Sequence, residues 1–193
     1  MTPQDQELIK KVKAGDKEAF TQIFDKYSDN VLGYLYRYVG DFQTAEDLTI
    51  ETFLKVYNNI ERYEEMGTFS SWLYKIATNC AKMELRKKGR RRETALDGYV
   101  DEAKETTLAD TIADETAKTD REAAEKDSKE YIYKFVEGLD KKYKDVFLLC
   151  DVEGMSQEEA AKALDSNIKT IGTRLLRARR IIYDILKKNG YEL

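Results

Sequence analysis

The sequence of 193 residues contains no histidine and only two cysteines, Cys80 and Cys150. Without an imidazole there is no general base for a Ser-His-Asp triad, and most transition-metal sites lose their commonest ligand. Two isolated cysteines are too few for a disulfide framework or a zinc site and indicate buried, reduced thiols. These absences argue against most enzyme classes and predict that the chain needs neither a metal nor another cofactor.

Proline and long apolar runs are also scarce. Pro3 is the only proline, and there are ten glycines, so long helices can run uninterrupted and a mostly α-helical protein is expected. No apolar run is long enough to span a membrane. Near the N-terminus, Asp5, Glu7, Lys10 and Lys11 interrupt any signal-peptide pattern. The sequence therefore predicts a cytoplasmic protein.

The net charge of −4 is distributed unevenly along the chain. Residues 93–130 carry 13 acidic and 5 basic side chains, whereas residues 1–92 and 131–193 each carry a net +2. The acidic part has few large apolar residues and cannot bury enough surface to fold alone, so we expect a flexible acidic linker over 93–127. The overall acidity is thus no argument against nucleic-acid binding by the flanking parts.

Both flanking parts show the spacing of amphipathic helices. Helices are expected over about 5–14, 16–40, 44–58 and 69–88. On the third helix, Ile50, Phe53, Leu54 and Tyr57 form an apolar stripe that we expect to face the core. The predicted fold class is all-α, with two small helical domains, 1–92 and 128–193, joined by the linker.

Residues 156–180 have the pattern of a helix-turn-helix. Ser156 and Glu159 form a capping box that begins a first helix, and residues 165–167 form a turn that can cap the second. The second helix carries an apolar stripe of Ile171, Leu175, Ala178, Ile182 and Ile185 and a polar stripe of Lys169, Thr173, Arg177 and Arg180. Such a helix suits the major groove of DNA. The alternative is an ordinary helical hairpin with a solvated basic face.

The helix expected over 69–88 carries a second nucleic-acid signature. Lys75, Asn79, Lys82 and Arg86 recur on one face, and Phe69, Trp72, Tyr74 and, in the preceding loop, Tyr63 supply aromatic rings. Cations that track phosphates, beside rings that stack on bases, suit an opened strand. The Asn79 amide can both donate to and accept from a base edge. The alternative is that Phe69 and Trp72 belong to the core.

Five segments in this order resemble the extracytoplasmic-function type of alternative sigma factor of bacterial RNA polymerase. They are 14–27, 45–57, 69–92, 139–164 and 169–179, which together span both domains. The resemblance implies a non-enzymatic factor that directs core polymerase to promoters. It would do so by recognising the minus-thirty-five element and opening the minus-ten element.

The resemblance also implies roles for individual residues. Core polymerase would be bound by Asp47, Glu51 and Phe53. The minus-ten strand would be held by Tyr63, Lys75, Asn79, Lys82 and Arg86, with the loop 61–68. The minus-thirty-five groove would receive Lys169, Thr173, Leu176 and Arg177, supported by Arg174.

The partners implied are the beta-prime clamp and beta flap of RNA polymerase, promoter DNA and an anti-sigma factor, frequently membrane-bound, with no small-molecule substrate. The acidic linker would thread the basic RNA path of polymerase until nascent RNA displaces it.

Several residues depart from the pattern of the family. Ile50 stands where glutamine is usual, Ser70 where arginine is frequent, and Met83 where a polar residue is frequent. Asp140 replaces the usual proline, and Gly172 a common basic residue of the recognition helix. These departures predict an altered polymerase contact and an unusual promoter sequence.

Three other functions are compatible with parts of the sequence. A helix-turn-helix regulator would bind an operator without polymerase, but the first domain shows neither a ligand-pocket signature nor a heptad repeat. A carboxylate enzyme would need converging side chains, whereas the adjacent Glu46 and Asp47 point about 100° apart on a helix. A pure interaction module would present its basic stripes to an acidic protein and tolerate changes at Asn79 and Arg177.

Overall fold

In the computed structural model, residues 3–64, 68–97 and 135–188 are described. They form helices α1 (Pro3–Lys13), α2 (Lys17–Val39), α3 (Phe42–Asn59), α4 (Phe69–Asp97), α5 (Lys141–Phe147), α6 (Gln157–Ala163) and α7 (Ile168–Lys188). A 3-10 turn, Ile60–Arg62, follows α3, and a π-helical turn, Leu148–Val152, follows α5. The all-α prediction is confirmed for these residues, and most of the expected linker, from residue 98 onward, lies outside them.

Local signals explain where α2 and α3 begin and end. The Asp16 carboxylate accepts a hydrogen bond from Ala19 N at 3.1 Å at the start of α2. Gly40 ends this helix at a φ of 78°, which glycine adopts without a Cβ clash. Asp41 then accepts a bond from Thr44 N at 2.8 Å and begins α3. Each aspartate satisfies an N–H group that has no partner within its helix.

Helices α1 to α4 enclose the core of the first domain. Its largest fully buried side chains include Ile23, Tyr34, Leu35, Tyr38, Phe69 and Leu73. The hydroxyl groups of Tyr34 and Thr78 lie 2.7 Å apart, so these buried polar groups are paired. Burial of each large apolar side chain stabilises the domain by about 1.5–3 kcal/mol.

The prediction for the apolar stripe of α3 is wrong at three of four positions. The face of α3 that is buried consists of Ala45, Leu48, Thr49, Thr52, Phe53 and Val56. Ile50 and Leu54 are instead 58% and 57% exposed, and Tyr57 is also exposed. The helix has two apolar stripes, and only one of them faces the core.

Helix α4 is longer than the sequence predicts, because it continues past Lys88 to Asp97. Residues 90–96 are mostly arginine, glutamate, alanine and leucine, which favour helix strongly enough that the single Gly89 does not end it. The basic run therefore belongs to the helix. The first five residues expected in the linker, 93–97, are helical as well.

The second domain begins its helices by side-chain caps. Asp140 Oδ1 accepts a hydrogen bond from Lys142 N at 3.3 Å, so this aspartate caps α5. The π-helical turn that follows is tied to α7 by Arg179, whose Nε and Nη2 lie 2.9 and 2.6 Å from the two carboxylate oxygens of Asp151. Such a bidentate pair fixes geometry as well as charge.

The helix-turn-helix forms as predicted. The Ser156 hydroxyl accepts a bond from Glu159 N at 3.2 Å, and the Glu159 carboxylate accepts one from Ser156 N at 3.0 Å, which completes the capping box of α6. The turn passes through Asp165 at a φ of 47°. Asn167 Oδ1 accepts a bond from Thr170 N at 2.7 Å and begins α7.

The two domains lie directly against each other. Helix α6 packs on α4, and the π-helical turn contacts α2. Hydrogen bonds cross this interface from Tyr38 Oη to Asp145 at 2.6 Å and from Thr68 Oγ1 to Glu159 at 3.2 Å. The sequence predicts two domains but gives no sign of this contact.

Candidate nucleic-acid and polymerase interfaces

Helix α7 separates an apolar face from a basic face. Its buried residues are Ile171, Leu175, Ala178 and Ile182. Lys169, Thr173 and Arg177 are exposed, and Arg174 is half-buried beside them. A helix anchored by one face can lie in a major groove with its cations directed to phosphates and base edges. The structure thus brings the residues expected at the minus-thirty-five element onto one surface.

Two uncharged side chains complete this surface. Leu176 is 71% exposed, more than any other large apolar side chain in the described ranges. An apolar group in that position can contact the methyl group of thymine. The Thr173 hydroxyl donates to the Lys169 carbonyl oxygen at 2.9 Å, so its own oxygen remains able to accept a bond. Gly172 adds no side chain, and the Gln157 amide from α6 lies next to it.

One face of α4 carries the four residues expected from the helical spacing, namely Lys75, Asn79, Lys82 and Arg86. The side chains of Asn79 and Arg86 are exposed. The two lysines are half-buried: Lys75 Nζ lies 2.7 Å from Asp165 Oδ1, and Lys82 Nζ lies 2.7 Å from Asp145 Oδ2. Both carboxylates belong to the second domain, so two of the four expected strand-binding residues on α4 already hold an anion.

Tyrosines at the same interface donate to carboxylates of the second domain. Tyr38 donates to Asp145, and Tyr74 donates to Glu153. Burial, followed by the Asp145 charge, raises the pKa of Tyr38 above its usual value. Burial and the Glu153 charge do the same to the pKa of Tyr74. Both phenols therefore remain protonated donors at neutral pH.

Tyr63 is only 3% exposed, although the resemblance places it among the strand-binding residues. Its ring centroid lies 5.8 Å from that of Phe69 and 5.1 Å from that of Trp72. Its carbonyl oxygen accepts a bond from Lys13 Nζ at 2.6 Å. This environment favours a core role for the aromatic cluster over stacking on a base.

The three residues expected to bind polymerase have different surroundings on α3. Asp47 is exposed. Glu51 is half-buried, and its carboxylate lies 2.7 Å from Lys55 Nζ. Phe53 is buried, with its ring centroid 4.8 Å from that of Phe24 in an edge-to-face contact. Phe53 therefore packs in the core beneath α3 and is not itself accessible to a partner.

Leu54 is not among the residues that the resemblance assigns to the polymerase interface, and Ile50 is a departure from the family pattern. Both are exposed on the outer face of α3, at one-turn spacing from each other and close to Asp47. Neighbouring exposed large apolar side chains with a polar rim are typical of a protein-docking surface. The second apolar stripe of α3 is the sequence signal that could have indicated them.

Within residues 3–64, 68–97 and 135–188, no group of three or more His, Cys, Asp or Glu side chains is arranged to hold a metal ion. None of the helices in these ranges combines the length and the apolar character needed to cross a bilayer.

Comparison with known proteins finds similarity in both domains. Residues 23–91 match Sigma-70 region 2, and residues 129–182 match Sigma-70, region 4. The ECF RNA polymerase sigma-E factor of Haemophilus influenzae is 31% identical over 178 residues, which cover 92% of this chain and 93% of that protein. The ECF RNA polymerase sigma factor SigW of Bacillus subtilis is 31% identical over 174 residues, covering 90% and 92%.

Two solved structures share the fold. CnrH, solved in complex with the cytosolic domain of CnrY, has a TM-score of 0.70 at 20% identity and covers 97% of this chain and 99% of its own. The sigma factor RpoE of Bartonella quintana, solved with the anti-sigma factor NepR, has a TM-score of 0.65 at 23% identity and covers 87% and 96%. At these identities the likeness establishes the helical fold.

Proposed function

The chain belongs to the extracytoplasmic-function sigma factors of bacterial RNA polymerase, and we propose that its two domains divide promoter recognition between strand capture and duplex reading. As a member of this family it recognises promoters and initiates transcription with RNA polymerase. In this proposal, residues 1–92 bind core polymerase and the minus-ten strand, residues 128–193 bind the minus-thirty-five duplex, and residues 93–127 connect them.

Duplex reading falls to the exposed face of α7. Lys169 and Arg177 meet phosphates and guanine edges, while Leu176 contacts a thymine methyl group. Thr173 lies between them, and Arg174 supports the surface from its half-buried position. The observation that carries this assignment is the division of α7 into a buried apolar face and an exposed basic face.

Strand capture falls to the exposed residues of α4. Asn79 offers a donor and an acceptor to the edge of an extruded base, and Arg86 attracts the phosphates beside it. Lys75 and Lys82 extend the same cationic face once they are released from their carboxylates. The loop before α4 is the expected entry for the base, although residues 65–67 within it lie outside the described ranges.

Polymerase binding falls to the outer face of α3. In this proposal Asp47, Ile50 and Leu54 contact the coiled coil of the beta-prime clamp, with Glu51 at the margin and Phe53 beneath. The second domain contacts the beta flap. Exposure of two large apolar side chains on this face supports the assignment, because burial of each on docking is worth about 1.5–3 kcal/mol.

The remaining assignments are made by analogy with the family. The chain catalyses no reaction itself and acts in the cytoplasm. An anti-sigma factor holds it inactive, as the two solved relatives were captured with CnrY and NepR. The acidic linker occupies the RNA path of polymerase until a transcript displaces it.

Run-off transcription with core polymerase on a genomic promoter library tests the function directly. Addition of the chain should produce transcripts that core polymerase alone does not produce. Electrophoretic shift of the resulting promoters, with and without core, separates a sigma factor from an operator-binding regulator. A regulator shifts the duplex equally well without core polymerase, and that result would refute the proposal.

A further inference from the structure

Asp145 of α5 holds one cation and one tyrosine of the first domain. Its Oδ2 lies 2.7 Å from Lys82 Nζ, and its Oδ1 accepts a bond from Tyr38 Oη at 2.6 Å. The carboxylate side chain is 9% exposed. Both oxygens of this nearly buried anion are therefore satisfied across the domain interface.

Glu153, just after the π-helical turn, repeats the arrangement. Its Oε1 accepts a bond from Arg37 Nη1 at 3.0 Å, and its Oε2 accepts one from Tyr74 Oη. This side chain is also 9% exposed. A third, exposed pair joins Lys75 to Asp165 at 2.7 Å. The interface is thus closed by three carboxylates of one domain on three cations of the other.

Two of these cations, Lys75 and Lys82, are the ones assigned to the minus-ten phosphates. A lysine ammonium that holds a carboxylate at 2.7 Å has no room for a phosphate oxygen on the same side. A buried anion must keep its counter-charge, because an unpaired charge in that environment is strongly unfavourable. Strand binding and domain closure therefore compete for the same two side chains.

We propose that Asp145, Glu153 and Asp165 form an intramolecular latch that keeps Lys75 and Lys82 of α4 from binding the minus-ten strand until the two domains separate. The inference rests on the proposed role of α4 in minus-ten binding. In this arrangement the carboxylates stand in for the phosphates of the strand.

The latch acts on one activity and leaves the others accessible. Lys169, Leu176 and Arg177 on α7 remain exposed in the closed arrangement. So do Asp47 and Leu54 on the outer face of α3. Duplex reading and polymerase docking are consequently compatible with closure, whereas strand binding by Lys75 and Lys82 requires opening. The order of events is docking first, separation of the domains second, and strand capture third.

The test uses the full-length chain and a fluorescently labelled single-stranded oligonucleotide that carries a minus-ten sequence found by run-off transcription. The double variant Asp145→Asn, Glu153→Gln keeps side-chain shape and can still accept bonds from Tyr38 and Tyr74. It should bind the oligonucleotide roughly tenfold more tightly than the unaltered chain, since a site open in only a fraction of molecules loses affinity by that fraction. Small-angle scattering should show a larger radius of gyration.

Glu158→Gln is the matched control, because it removes one negative charge from an exposed position in the same domain. It should change binding by less than about twofold, as expected for an exposed surface charge outside the three carboxylate–cation pairs. Asp165→Asn is the second test variant, because Asp165 is exposed and its loss cannot unfold a core. It should give a smaller gain, roughly two- to threefold.

The outcomes separate the latch from the proposed function. If neither the unaltered chain nor the variants bind the strand, yet scattering shows expansion, the latch stands and strand capture by α4 is wrong. If the double variant is folded by circular dichroism but neither expands nor binds more tightly, the latch is wrong. The latch is equally wrong if Glu158→Gln gains as much as the double variant, or, where the double variant does not fold, if Asp165→Asn gains nothing.

Discussion

The Gln157 side chain of α6 fills the place of a missing side chain at Gly172 of α7. A Cβ on Gly172 would lie 2.9 Å from Gln157 Oε1 and 3.8 Å from Gln157 Cδ. The amide is the far end of a flexible, exposed side chain, so it can move aside at little cost. Gly172 is therefore not required by packing, in contrast to Gly154, whose φ of 70° disfavours any other residue.

Gly172→Ala should stabilise the chain by about 1 kcal/mol, because alanine favours a helix interior over glycine by that amount. The matched substitution Gly154→Ala should destabilise it by roughly 1–2 kcal/mol, because a Cβ is strained at positive φ even where space is open. Chemical denaturation of the two variants measures both effects. Loss of stability in Gly172→Ala would show that the Gln157 contact is structural.

Arg177→Ala should weaken transcription from promoters that depend on a minus-thirty-five element. Loss of a bidentate base contact costs roughly 1–3 kcal/mol, and Arg177 is exposed on the face of α7 that carries Lys169. Affinity for core polymerase should be unchanged. If transcription and affinity for core polymerase fell equally, Arg177 would belong to the polymerase interface instead.

Asn79→Ala should leave the closed promoter complex intact and impair its opening. Extrusion of a base costs a few kcal/mol, which edge hydrogen bonds and stacking must offset. The exposed amide of Asn79 supplies the edge bonds, while Arg86 still attracts phosphate. Permanganate footprinting on matched and substituted promoters measures opening and base preference together. Undiminished preference at every minus-ten position would leave Asn79 a surface residue without a role in reading.

Leu54→Ala and Leu176→Ala should each weaken a different interaction, the first with core polymerase and the second with promoter DNA. Both remove an exposed leucine, but one lies on α3 and the other on α7. Leu54→Ala should lower affinity for core polymerase by about tenfold or more, in line with 1.5–3 kcal/mol for a leucine buried on docking. Leu176→Ala should leave core binding unchanged and reduce the preference for thymine at one minus-thirty-five position. Titration of core with each variant, and competition between duplexes, make the comparison.

The lowered pKa of Lys144 makes the free energy of unfolding depend on pH. Burial lowers its pKa to about 8, despite the opposing charges of Glu137 and Asp145. Between pH 8 and the ordinary lysine value near 10.5, the folded chain has released this proton while the unfolded chain still holds it. Because stability rises with pH wherever the unfolded state binds more protons, the destabilisation caused by the buried Lys144 ammonium is relieved progressively over that window.

Lys144→Met should remove this dependence. The variant should be more stable than the unaltered chain at pH 7, by roughly 1–3 kcal/mol, and the difference should shrink as the pH approaches 10. Urea denaturation at pH 7, 8 and 9 stays below the range in which the interface tyrosines titrate. A difference that is constant across these pH values would show that Lys144 keeps its proton throughout.

Short-range features of this fold are predictable from the sequence, because the groups that produce them are close in the chain. The capping box of Ser156 and Glu159 and the cap at Asp16 each span three positions. The face of α7 that packs on the core follows equally well from helical spacing. Helix α3 is different, since either of its apolar stripes satisfies the same periodicity. Only the packing of its neighbours decides that Val56 is buried and Leu54 is not.

The contacts that close the domain interface could not be predicted in the same way. Tyr38 and Asp145 are 107 positions apart, and no local pattern links them. From the sequence of either domain alone, the charged side chains are expected to face solvent. Their pairing depends on how two finished surfaces meet, with the span 98–134 between them outside the described residues.

The ion pair of Lys82 and Asp145 places a constraint on how this protein can diverge. A substitution of Lys82 that weakens the phosphate contact with a promoter strand also removes the counter-charge of a nearly buried carboxylate. Affinity for the strand and the resting arrangement of the domains therefore depend on the same side chain at this position. Among descendants of this chain, we expect residues 82 and 145 to change as a pair, whereas Asn79 is free to vary with the promoters it reads.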